Sequence, residues 1–407
     1  MSTWNRRSVL AAGAAISAGG MLASSGAADS AAGEETERPD PDLDPDREAD
    51  WPSYRGGAGH ARYLEDGPEF DPGSLETAWA ADHDGSVAVA DGVVYATTED
   101  GVVALDAADG EPVWETDAVA ASDPAVAGDG VYLCGEEVVA LDRSDGNVRW
   151  ESSLEPTEWT SSHTVAHDGV YVVADGSLYA LDIEDGSVRW RRDGAAFVPS
   201  FGANRPKDYA FTTGTAAANG VVYAGTRGGL LAFDPETGDE VWREQRQYMG
   251  RRDNEIFATS EAVLVEGYTT VDCGIHDPET GEYRGPAPME SPAEPAVGTD
   301  VHLADSGQAF AAGSIDGGGE RWQVSGRLTY GQGVICGDTV YVYLRSNGDP
   351  NEVPHHKELV AFDKHDGTEN WTLSRNTAPV GEIRAISDET MYVDYEGQLV
   401  ALRELED

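Results

Sequence analysis

The 407 residues carry 75 Asp and Glu against 27 Lys and Arg, a formal net charge of −48, and the only lysines are Lys207, Lys357 and Lys364. A field of that sign excludes a general affinity for nucleic acid. The acids are spread along the whole chain, the solvation strategy of a protein working in concentrated salt, where screening lengths shrink to about 3 Å at 1 M.

Asn5-Arg6-Arg7-Ser8-Val9-Leu10 opens the chain, and small and apolar residues follow through Ala28. A twin arginine ahead of a core too short and too rich in Ala, Gly and Ser to span a bilayer is the pattern of a cleavable export signal. It is assigned to residues 1–32, with cleavage among the small residues from Ser24 to Ala32. The expected location is therefore extracytoplasmic, secreted or at the cell surface, with no transmembrane segment in the mature chain. No cysteine lies near the apolar segment, so no lipid anchor is expected at the cut.

Residues 33–50 (GEETERPDPDLDPDREAD) form an acidic, Pro-interrupted stretch with almost no apolar content, predicted to be a disordered linker. Asp40, Asp42 and Asp44 alternate as in a calcium loop. Pro45 stands where that loop requires Gly and Trp51 where it requires Glu, so the calcium reading fails.

From Trp79 onward the chain repeats itself. Residues 91–114 read DGVVYATTEDGVVALDAADGEPVW, 168–190 DGVYVVADGSLYALDIEDGSVRW, and 219–242 NGVVYAGTRGGLLAFDPETGDEVW. Weaker copies occupy 129–150, 261–283, 298–322 and 337–371. An Ala precedes a Trp by ten residues at Ala104–Trp114, Ala140–Trp150, Ala180–Trp190, Ala232–Trp242 and Ala361–Trp371. Marking units by Trp79, Trp114, Trp150, Trp190, Trp242, Trp322 and Trp371, with Tyr283 substituting once, gives a mean step of about 42 residues, the size of a four-stranded propeller blade. Period-two runs such as GVVYA fit short strands, and the Asp-Gly and Asn-Gly pairs supply hairpin turns. The chain stops after the middle strands of an eighth unit, whose missing outer strand is present at Ser74–Trp79. The prediction is an all-β, eight-bladed propeller over residues 51–407, its N- and C-terminal strands sharing the closing blade. Seven blades is the alternative, because 261–283 is degenerate.

The pattern Ala-x-Asp-x-x-(Thr/Asp)-Gly-x-x-x-Trp resembles the tryptophan-docking repeat of the pyrroloquinoline-quinone (PQQ) dehydrogenases. In style it is closest to the repeats of the lipoprotein that scaffolds outer-membrane assembly, here in a secreted, haloarchaeal-type member. Trp51-Pro52-Ser53-Tyr54-Arg55-Gly56-Gly57 looks like the W-x-x-x-R-G lead-in that precedes such propellers. The resemblance implies that each docking Trp stacks between neighbouring blades. The dehydrogenases of this family hold their quinone with a vicinal cysteine pair, a calcium held by Glu and Asn, and a catalytic Asp. Cys134, Cys273 and Cys336 are far apart, so that part of the pattern is absent. These thiols are either one disulfide and a free thiol or three buried small hydrophobes. Ser144-Asp145-Gly146-Asn147-Val148-Arg149-Trp150 echoes a sialidase motif with the wrong spacing.

Three insertions, residues 191–212, 243–257 and 344–357, fall in connections expected on one face and are predicted to ring one mouth of the channel, where binding concentrates. They carry Arg205, Lys207, Tyr209, Arg246, Tyr248, Arg251 and Arg252, cations among aromatics that suit an anion, a polar peptide or a sugar. Cations pairing with nearby acids to cap the disc is the competing account. His355-His356 is read as a solvated loop pair rather than a metal site, since adjacent side chains diverge on a strand. No catalytic or metal-binding constellation can be assembled. The sequence therefore predicts a monomeric, non-catalytic binding scaffold without cofactor, its partner a protein or small anionic ligand. The alternative is an extracytoplasmic enzyme at the same mouth, dependent on PQQ with calcium or acting on a polymer.

Overall fold

Apolar runs of four to eight residues, broken by residues that accept positive φ, give short strands joined by tight hairpins. Asp91 (φ 56°) and Gly92 (φ 73°) make one such turn, the backbone twist that suits two-residue hairpins. The structure, a computed structural model, describes residues 50–404 apart from 99–100, 118–122, 136, 155–161, 200–204, 246–254, 266–272, 288–294, 306–308, 318, 326–327, 330–332 and 347–354. The export signal and almost all of the acidic linker lie outside the described residues.

Eight antiparallel sheets form the eight blades. Blade 1 runs from axis to rim as Val87–Ala90, Val93–Thr97, Val102–Asp106 and Pro112–Thr116. Blades 2 to 7 repeat that order. Their inner strands are Ala125–Ala127, Thr164–Ala166, Phe211–Ala218, Ile256–Ala258, Ala296–Val297 and Val334–Cys336. Their outer strands are Val148–Ser152, Val188–Arg192, Glu240–Gln245, Tyr283–Ala287, Glu320–Ser325 and Glu369–Ser374. Blade 8 takes Glu382–Ser387, Thr390–Tyr395 and Gln398–Glu404 from the C-terminus and its outermost strand, Leu75–Ala81, from the N-terminus. Leu75 pairs with Glu404 and Ala81 with Leu399. The shared closing blade is as the sequence predicts.

The repeat motif is a register across three strands. In blade 1, Tyr95 pairs with Ala104 and Ala104 with Trp114. The Tyr95 and Trp114 rings lie 5.9 Å apart above a fully buried alanine, which leaves no room for a larger side chain. The same rank recurs as Tyr132–Trp150, Tyr171–Trp190 and Tyr223–Trp242, at 6.1, 5.9 and 5.8 Å. Each Trp then docks on the next blade. Trp114 Nε1 donates to the Arg143 carbonyl at 2.9 Å, Trp150 to Ile183 at 3.0 Å, and Trp190 to Pro235 at 2.9 Å. Its indole covers the glycine of the next blade's outer turn. A Cβ on Gly146 or Gly186 would lie 2.5 Å from the ring, so only glycine fits beneath the indole. Trp79, Trp242 and Trp322 make the same bond, to Ala107, Pro278 and Lys364. Trp371 packs on Tyr341 at 5.8 Å but faces blade 8, where the chain termini meet.

Blade 5 departs from the expectation that Tyr283 replaces the missing Trp. Its register pairs Ile275 with Gly285 and places Tyr283 opposite His276, beyond the bulge. Gly285 therefore holds the tryptophan position, ten residues after Ile275. With no indole between them, the backbones of Gly285 and Gly317 of blade 6 meet directly.

The lead-in segment fills the hub. Inner strands leave one edge of backbone donors unpaired in a buried channel, and such donors need partners. Residues 51–64 supply backbone partners to six blades and side-chain contacts to the other two. Trp51 exchanges bonds with Val89 of blade 1, and Pro52 accepts from Val126 of blade 2. His60 Nε2 meets Thr164 Oγ1 of blade 3 at 3.0 Å. Ala58, Gly59, Ala61 and Arg62 accept from Ala217, Ala258, Val297 and Ile335, at 2.9, 2.8, 2.8 and 3.0 Å, in blades 4 to 7. Arg62 Nη2 donates to Ile383 of blade 8 at 2.9 Å. Tyr63–Leu64 ends the run as a short strand parallel to Val334–Cys336.

Candidate functional site

The bonds made by residues 51–64 fall where the inner strands turn into the second strands, so the plug closes that end of the channel. The connections that carry the insertions emerge at the other end. Arg55 and Arg62 are 2 % and 1 % exposed. Arg55 Nε donates to His60 O at 3.0 Å and its Nη2 to Pro295 O, while its guanidinium stacks 4.5 Å over Phe257. Arg62 Nε donates to Gly333 O at 3.1 Å and its guanidinium lies over Trp51 at 5.4 Å. Carbonyl oxygens and ring faces thus satisfy two buried charges. Burial, with Arg55 adding repulsion, pushes His60 down to about 3, so the ring is neutral at the hub. Tyr54 stacks against His60 at 5.3 Å. Burial chiefly, with Glu255 and Asp123 contributing, holds its hydroxyl well above the ordinary phenol range.

Of the predicted site residues, the structure describes Arg205, Lys207 and Tyr209. Arg246, Tyr248, Arg251 and Arg252 lie outside the described residues. Residues 191–212 build a small hairpin, Ala195–Phe197 against Lys207–Tyr209, with Phe197 opposite Lys207 and Ala195 opposite Tyr209. Phe197 settles on Gly228 and Gly229, in the middle turn of blade 4, where any Cβ would collide with its ring. Arg243 and Gln245, on the outer strand of blade 4, donate to Ala196 O and Val198 O, each at 2.7 Å. The hairpin is therefore fastened over the upper, outer part of blade 4 by its own carbonyls. Lys207 Nζ lies 5.1 Å from the centre of the Tyr209 ring, and Tyr209 meets Phe197 edge-on at 6.4 Å. Arg205 and Lys207 are exposed.

His355 differs from the solvated loop residue the sequence suggests. It is 7 % exposed, its Nδ1 lies 3.1 Å from Glu358 Oε2, and its ring packs on Phe362 at 6.0 Å. Cys134 and Cys336 are buried and not joined in a disulfide, each packed among apolar side chains of its own and neighbouring blades. The donors that the PQQ-dehydrogenase resemblance calls for are not gathered here. No group of three His, Cys, Asp or Glu side chains that could hold a metal ion is found among the described residues, and Cys134 and Cys336 sit in blades 2 and 7. These residues do not fit a quinone held on calcium, and no chemical step is derived through one. No described helix is long and apolar enough to cross a membrane.

Residues 69–136 and 122–274, together half of the chain, match the family model described as outer membrane protein assembly factor BamB. No curated protein matches. Among solved structures, the chain is similar to BamB from Moraxella catarrhalis at 18% identity and a TM-score of 0.57, covering 81% of this chain and 97% of that one. It is similar to the quinohemoprotein alcohol dehydrogenase from Comamonas testosteroni at 14% identity and a TM-score of 0.61, covering 88% and 81%. A europium-containing methanol dehydrogenase matches at 13% identity and a TM-score of 0.53, covering 88% and 86%. At such identities the three structures share a fold with this chain. With its docking tryptophans, its shared closing blade and the family match across half its length, the chain belongs to the PQQ-like β-propeller family of the outer membrane protein assembly factor BamB.

Proposed function

We propose that the protein is an extracytoplasmic, non-catalytic scaffold that works as a monomer and presents its loop-bearing face to a protein or small anionic ligand. Export by the twin-arginine route, as a folded chain, accompanies that reading. The plug carries the argument: residues 51–64 engage all eight blades at the far end of the channel, which leaves the face with the insertions as the one built for partners. Family membership supports a binding role, since the matched family is described as an assembly factor. Arg205, Lys207 and Tyr209 would contribute on the fastened hairpin, with Arg246, Tyr248, Arg251 and Arg252 further along the chain.

The test is an absorption titration of the purified protein with pyrroloquinoline quinone and calcium. The scaffold reading expects no stoichiometric spectral change. A saturable, calcium-dependent quinone spectrum would overturn it in favour of a quinone-dependent enzyme.

A further inference from the structure

Cations are scarce in this chain, so the place where they gather carries information. Residues 189–252 hold ten Lys and Arg against seven Asp and Glu, in a chain with 27 against 75. On the described part of this stretch, Arg205, Lys207 and Arg227 are exposed and make no ion pair among the described residues. Arg227 sits in the middle turn of blade 4, directly before the two glycines that Phe197 covers. Lys207 pairs with Phe197 in the hairpin register, and the Arg243 guanidinium lies over the Phe197 ring at 5.2 Å. The buried Phe197 thus anchors to the blade a half-exposed Tyr209 ring, with exposed cations beside it. This surface lies toward the rim of blade 4 rather than around the axis.

We infer that this surface of blade 4 docks a carboxylate-rich polypeptide segment of a partner protein. The inference rests on the scaffold reading and names the chemistry of its partner. A small anion is held by donors that converge and are desolvated, whereas these cations are spread over an open surface and exposed. Spaced charges beside the half-exposed Tyr209 ring suit an extended chain whose Asp or Glu meets guanidinium or ammonium while an apolar side chain covers that ring. Nucleic acid fits less well. Its phosphates recur about every 1.7 Å of duplex and would have to approach a chain of net charge −48. A segment with a few carboxylates needs only contact-range attraction, which survives the screening that weakens the long-range field.

The experiment is fluorescence anisotropy of a short labelled peptide rich in Glu, with Leu and Ser between, titrated with the full exported chain. The same peptide with Gln for Glu and inorganic phosphate as competitor are the controls. The wild type should bind the Glu peptide, not its Gln counterpart, and phosphate at matched ionic strength should not displace it. Arg205→Glu with Lys207→Glu and Arg227→Glu should weaken binding about tenfold or more, with the melting temperature unchanged because all three side chains are exposed. Asp208→Lys, in the middle of the same strand, should tighten it. No binding by the wild type, equal binding of the Gln peptide, displacement by phosphate, or an unchanged affinity in the triple variant would each overturn the inference. A failed peptide titration alongside a negative quinone titration removes the acidic partner and leaves the scaffold; a positive quinone titration removes the scaffold reading itself.

Discussion

Gly59 shows how much one backbone position decides. Its carbonyl takes the Ala258 amide at 2.8 Å, and a Cβ at Gly59 would collide with the Ala258 carbonyl oxygen. The collision is with strand backbone, which cannot swing aside as a flexible side chain would. Gly59→Ala should therefore cost about 2 kcal/mol or more, in the range of overpacked core sites. Gly57, two residues earlier and with nothing within 4 Å of its would-be Cβ, is the control. Gly57→Ala should stay within about 0.5 kcal/mol. Chemical denaturation of both variants gives the comparison, and equal midpoints would mean that the hub is not tightly packed around this segment. The stretch Trp51 to Gly57, two residues short of Gly59, is visible in the sequence as a family lead-in. The work of the whole segment 51–64 is not, because the amides it must meet come from strands as distant as Val126 and Ile335. Gly285 is the opposite case. The ten-residue offset from Ile275 points to it, but a tyrosine two residues earlier is the more conspicuous aromatic.

At the scale of the element, the repeat has a preferred solution and blade 6 departs from it. Where blade 1 pairs Val94 with Leu105, blade 6 pairs His302 with Gly313. The His302 ring occupies the space that a Gly313 side chain would take. It is 1 % exposed, and neither ring nitrogen has a hydrogen-bond partner among the described residues. Burial first, then Arg321, lowers His302 to about 4, against about 6.5 in an unfolded chain. The folded state therefore binds fewer protons than the unfolded one between those values. This contribution to stability is complete above about pH 6.5 and is lost as the pH falls toward 4. His163 and His60, at about 4 and about 3 for the same main reason, add slopes of the same sign. His302→Val combined with Gly313→Leu restores the pair used in blade 1. It should raise stability at pH 7 by about 1 kcal/mol or more, the relief of unsatisfied buried nitrogens. It should also make stability fall less steeply from pH 7 to 4.5. Urea midpoints across that range decide; a double variant as acid-sensitive as the wild type would show that His302 takes up protons alike in the folded and unfolded chains. Blade architecture was legible because Tyr, Ala and Trp mark one rank of one sheet. The His302–Gly313 exchange was not, since it is a pairing between strands that periodicity alone does not mark.

For the molecule as a whole, the N-terminal region closes the ring twice, once at the hub through residues 51–64 and once at the rim through Leu75–Ala81. The rim closure was readable from an orphan strand at each end of the chain. The site was readable only in part: the hairpin's cations stood out against an acidic background, but its seat on Gly228 and Gly229 depends on contacts between separate blades. The two closures are separable by experiment, because Phe70 and Tyr341 hold the connecting stretch beneath blade 7, the Phe70 amide donating to the tyrosine hydroxyl at 3.2 Å. A chain beginning at Asp66 keeps the rim strand and loses the plug. It leaves the amides of Val126, Ala217, Ala258, Val297 and Ile335 without their carbonyl partners. Each such loss costs about 1–3 kcal/mol where water cannot enter. Water entering the emptied hub offsets part of that, so the truncated ring should melt well below the full chain while keeping its strand content. A synthetic peptide of residues 50–65 added in trans should then raise the melting temperature in a saturable way, since a ligand that binds only the folded ring stabilises it in proportion to the logarithm of its concentration above Kd. The same peptide with Gly59→Ala should fail to do so. A truncated chain as stable as the full one would mean that the eight blades hold themselves together and that residues 51–64 merely occupy the channel. Rescue by the native peptide alone would establish the hub as a sequence-selective peptide site that the chain fills with its own N-terminal segment.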